Sequence, residues 1–133
     1  MDRAQLHEFE RLHGQLVAAK AEIDGLAGKG DEAPKEEVGA LKLGLLDRLI
    51  AAADRFLGDD RPFEFAGFGE ANATLSDVGF VLGQYVACLE SFRADHLERR
   101  HGTWYWRVEI ADAGGPRIER VPVERYEPKE AGG

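Results

Sequence analysis

Apolar residues recur at helical spacing along the first 27 residues. Leu6, Phe9, Leu12, Leu16, Ile23 and Leu26 are three, four or seven positions apart. The spacing predicts an amphipathic helix over residues 2–27. Phe9, Leu16 and Ile23 fall seven apart, with His13 and Lys20 at the alternate seam positions. That is a partly polar seam, suited to one face of a bundle. Residues 28–34 (Gly-Lys-Gly-Asp-Glu-Ala-Pro) break the pattern. Pro34 suits the first turn of a second helix running through Leu57, with Val38, Leu41, Leu45, Leu46, Leu49, Phe56 and Leu57 as its apolar stripe. Gly58 is placed as its left-handed stop.

Residues 59–73 read as a loop holding Phe63, Phe65 and Phe68 among Gly67 and Gly69. Such a loop either lies down on the core or offers a ligand an aromatic patch. A third helix is predicted to start near Thr74 or Ser76, with Asp77 in its favourable first turn, and to run to Arg100 and stop at Gly102. Leu75, Val78, Leu82, Tyr85, Val86, Leu89 and Phe92 give it a broad apolar face. Gly79, Gly83 and Ala87, four apart, leave one stripe nearly bare of side chains. Interior glycines cost about 1 kcal/mol each relative to alanine. A close crossing with the Ala40 and Gly44 stripe of helix two would recover that cost.

The period then changes to two. Trp104, Trp106, Val108 and Ile110 alternate with Tyr105, Arg107, Glu109 and Ala111, as in a half-buried strand. Residues 112–116 signal a turn, and 118–123 return as a strand that Pro122 makes an edge. The expected architecture is α+β, mainly α: three helices and a C-terminal β-hairpin (about 103–123) within one domain of residues 1–126, and a tail at 127–133.

The length, 133 residues, fits one ordinary domain, and 44% apolar with 32% charged residues is a globular composition. A net charge of −8 changes the picture, because an acidic surface repels phosphate backbones and anionic lipid. Nucleic acid and membrane partners are therefore disfavoured. No apolar run approaches the ~20 residues of a bilayer span, and no leader pattern opens the chain. With a single cysteine, Cys88, an internal disulfide is impossible. A cytoplasmic protein is expected, and the Ala, Gly, Arg and Asp bias suggests a bacterial one.

Catalytic constellations are scarce. Ser76 and Ser91 sit in no nucleophile elbow, and Cys88 lies among apolar helix positions. His7 and His13, and His96 and His101, lack the spacing of three or four that puts two ligands on one helix face. No cofactor, metal site or catalytic residue is predicted. Two stretches stand out. Leu75 to Phe92 has the small-residue spacing of a helix-turn-helix, with Gly83 at the turn, although no Arg or Lys precedes Arg93. The other holds Arg93, Arg99, Arg100, Trp104, Tyr105, Trp106 and Arg107, the residue types of interface hot spots. It reads as a protein interface, as a platform for single-stranded nucleic acid, or as a cation-rich helix end followed by a core strand. The leading expectation is a non-enzymatic protein-interaction module, homodimeric, binding through this junction. A DNA-binding regulator using the stretch from Leu75 to Phe92 is the alternative, and an acidic inhibitor or immunity-type protein or a small enzyme comes third.

Overall fold

The computed structural model describes residues 1–69 and 72–123. The tail expected at 127–133 lies outside them. The order is three helices, then a three-stranded antiparallel sheet, so the chain is α+β and mainly α. Helix α1 spans Arg3–Ala27, α2 Ala40–Leu57 and α3 Leu75–Asp95; strands β1, β2 and β3 span Leu97–Arg100, Thr103–Asp112 and Gly115–Pro122. Two compact units result: Phe9–Leu89, and Met1–Glu8 with the chain from Glu90 onward.

In the helical unit, α1 matches the predicted bounds to within a residue, and Phe9, Leu12, Leu16 and Ile23 form its buried face. Helix α2 starts later than predicted. Pro34 opens only a short 3₁₀ turn, Ala33–Lys35. The next residues are drawn into backbone pairing instead: Val38 donates to the Ala73 carbonyl at 2.8 Å and Leu75 to that of Glu36 at 2.9 Å. Residue 58 ends α2 as predicted, at a positive φ of 58° that only glycine adopts freely.

The buried stripe of α2 is Leu43, Leu46, Ile50, Ala53 and Leu57. The predicted stripe is therefore partly wrong: Leu41 and Leu45 are 81% and 57% exposed. Two apolar stripes adjoin on this helix, and the periodicity does not say which one the core takes. Helix α3 starts where predicted. Thr74 and Asp77 exchange backbone-to-side-chain hydrogen bonds of 3.0 and 3.2 Å, a reciprocal cap. It passes through Gly83 without a break.

The glycine stripe does not meet α2. A Cβ at Gly79 would touch Ile23 and Asp24, and one at Gly83 would touch the Lys20 side chain at 3.2 Å, whereas Gly44 has open space around it. The room left by the glycines is filled by side chains of α1, not by another helix's backbone.

The sheet unit corrects the end of α3. The helix stops at Asp95, and residues 97–100 form β1, so a three-stranded sheet replaces the expected hairpin. His96 turns its Nδ1 to the Phe92 carbonyl at 2.8 Å and stacks on the Phe92 ring, which closes the helix. His101 and Gly102, with φ of 51° and 81°, then make the two-residue turn that suits a tight hairpin. Gly102 thus joins two strands and does not cap a helix. Arg107 donates its N–H to the His96 carbonyl and Glu109 to that of Met1, at 3.0 and 2.7 Å, which extends pairing along β2 beyond β1. Arg3 and Glu119 form an ion pair within the same unit.

Candidate functional site

The strand pleat sorts the predicted Arg and aromatic residues onto two faces. Leu97 lies opposite Trp106, and Arg99 opposite Trp104. Across β2 and β3, Trp106 pairs with Val121 and Val108 with Glu119. Arg99, Trp104 and Trp106 therefore share one face with the apolar residues Leu97, Val108 and Val121. Trp106 is 3% exposed and serves as core; Trp104 is half-buried. Arg93 stands apart on the last turn of α3, half-buried.

Arg100, Tyr105 and Arg107 lie on the opposite, outward face, where they are joined by two residues the sequence reading did not single out, Glu98 and Arg120. Glu98 accepts hydrogen bonds from Nε of Arg100 at 2.9 Å and Nε of Arg120 at 3.0 Å. The Arg120 side chain thus reaches from β3 across the central strand to β1. These contacts, that to Arg100 first, hold the Glu98 carboxyl below the usual carboxylate range. Arg107 sits directly opposite Arg120 and donates to the Asp95 backbone carbonyl. A signal for Arg120 was present in the sequence. The turn at Ala113 and Gly114 pairs Asp112 with Gly115, and that register carries Arg107 to Arg120.

The β3 edge of this sheet is poorly suited to further strands. Val123 donates its N–H inward to the Trp104 carbonyl, so along β3 the even-numbered residues face outward. Two of those four positions, 116 and 122, are proline and have no N–H to offer. Pro122 does mark an edge, as the sequence predicts.

The aromatic loop lies down on the helical unit. Phe63 meets Tyr85 edge-on at 5.8 Å, Phe65 meets Phe63 at 6.1 Å and Phe68 at 5.0 Å, and Phe68 is buried. Two carboxylates of α2, one helical face apart by seven residues, fix the arrangement: Asp47 accepts the Phe68 N–H at 2.8 Å, and Asp54 the Tyr85 hydroxyl at 2.6 Å. Burial, and then the bond to Asp54, push the Tyr85 phenol up from its ordinary value. A groove of about 300 Å³ lies beside Asp47, Ile50, Phe65 and Gly67 on the loop face.

Half-buried Cys88 has its thiol pushed up, chiefly by burial and secondly by Asp60, so the thiolate is disfavoured. Among the described residues no three His, Cys, Asp or Glu side chains gather as a metal site, and no helix is long and apolar enough to cross a membrane. In comparisons with protein families, curated proteins and solved structures, nothing matches this chain.

Proposed function

We propose that the chain is a small, non-enzymatic protein-interaction module of the cytoplasm that engages its partner through the outward face of the C-terminal sheet and works as a homodimer. One observation carries this reading: Tyr105 lies on the central strand with Arg100, Arg107 and Arg120 around it, on the face away from Trp106. Tyrosine and arginine supply large contact area and directional donors, and interfaces are enriched in both. Arg99 and Trp104 at the strand rim and Arg93 on α3 are left as peripheral contributors, and buried Trp106 supports the sheet from behind.

Self-association is supported by a different surface. Leu41 and Leu45, one turn apart on α2, stand in water, and a second copy would cover them. The helix-turn-helix alternative gains no support, since it needs a turn at Gly83, where α3 is continuous.

Native mass spectrometry of the protein captured at low salt from a lysate of its own host tests the proposal. The expected species is a dimer carrying a defined protein mass that disappears in the Tyr105→Ala variant. A bare monomer would overturn both parts, and a bound mass indifferent to Tyr105→Ala would remove the sheet face from the proposal.

A further inference from the structure

We infer that Arg100, Arg107 and Arg120 form a receptor for a pair of carboxylates on an acidic segment of another protein. The inference rests on the reading of the sheet face as an interaction surface and names the chemistry of its partner. Two of the three guanidinium groups, those of Arg100 and Arg120, share the carboxylate of Glu98. Arg100 and Arg120 each engage Glu98 only through Nε, so their terminal amino groups have no acceptor among the described residues. Those are the paired donors that fit a carboxylate bidentately. The Arg107 guanidinium contacts a neutral carbonyl, and no ion pair to it is found among the described residues. Glu109 lies further along the face, 73% exposed, and makes no ion pair with the three arginines.

The pairing of Arg107 with Arg120 adds a second argument. Like charges directly opposite on a sheet are destabilising, most where the two strands do not exchange hydrogen bonds and Cα atoms approach to about 4.5 Å. The inward N–H of Val123 and the Arg107 N–H directed to His96 place this pair in that class. A bound anion relieves the repulsion.

The same repulsion counts against a second copy using this face, because a two-fold contact would set arginines against arginines. A nucleic acid needs cations along several phosphates. Here the cations occupy one patch of a chain whose net charge is −8. The prolines of β3 discourage strand addition along that edge, and the three arginines lie on the face, so the partner is placed on the face.

The test is fluorescence anisotropy, at low salt, of a labelled octapeptide of alternating Glu and Ser residues against the full chain. The Gln-for-Glu octapeptide, inorganic phosphate and an oligo-dT of similar length serve as comparisons. Binding of the acidic peptide alone is expected. It should weaken about tenfold or more in Arg107→Glu and Arg120→Gln and be recovered in part by Arg107→Lys, which keeps the charge and loses the fork. Arg55→Glu, on the helical unit, should change it by less than about twofold.

Equal binding by Arg107→Glu, no binding of the acidic peptide, or tighter binding of oligo-dT or phosphate would each overturn the inference. If the octapeptide fails while a captured protein still depends on Tyr105, the carboxylate chemistry falls and the interaction module stands.

Discussion

The helical unit and the sheet unit handle their charges in opposite ways. On α2, Asp47 and Asp54 turn inward and are spent on a backbone N–H and a tyrosine hydroxyl that would otherwise lack partners. On the sheet, Arg100, Arg107 and Arg120 turn outward and divide a single carboxylate among two of them. Buried polar groups must be matched one to one, because an unmatched one loses its hydration without return. Exposed ones need no match, so a local surplus of one sign persists only where nothing folds against it. The lesson is that the aspartates of this molecule explain its fold, and the arginines are where a partner is to be sought.

The largest test of that contrast is Leu82→Ala, at a fully buried position of α3. It should lower stability by about 2–5 kcal/mol in chemical denaturation; a loss as small as that of a surface variant would mean the helical unit is loosely packed. Asp54→Ala comes next. Stranding the buried Tyr85 hydroxyl should cost about 1–3 kcal/mol, and the Phe63 ring, edge-on to that tyrosine, should become more mobile by NMR.

The Tyr85 phenol sharpens the same point through pH. Its folded value is raised, so its contribution is complete below the unfolded value of about 10 and is lost as pH climbs from there toward the folded one. Unfolding followed across the alkaline range should show this loss in the wild type and not in Tyr85→Phe. On the sheet, Arg107→Gln should stay within about 0.5 kcal/mol of wild type. The Glu98 ion pairs should weaken only in acid, as pH falls through a carboxyl value held below the ordinary one.

One expected effect has the opposite sign. Gly83→Ala meets only the flexible end of Lys20, whose partner Asp24 lies one turn away, so the variant should gain up to about 1 kcal/mol from helix propensity. A loss there would show that Lys20 cannot move aside.

Much of the fold was legible because its signals are local. The three-residue spacings of Leu6, Phe9 and Leu12, the Thr74 cap with Asp77, Gly58 and the alternation from Trp104 to Ile110 each act over a few residues, and each is found where expected. What was missed depended on distant chain. Leu97 to Arg100 have no strong preference of their own and become a strand because β2 offers its edge. The first turn predicted for α2 yields to pairing between Glu37 and Thr74. Half of the candidate site was legible in the same sense: Arg100, Tyr105 and Arg107 were named, Trp106 turned inward, and Arg120 needed the register.

The sequence by itself determined most of the element types and the acidic balance. Only the tertiary structure decided which of two apolar stripes α2 buries, which helix fills the glycine stripe, and which arginines share a face. Those outcomes follow from pairing and packing between segments far apart in the chain, and periodicity within a segment carries no information about its neighbour.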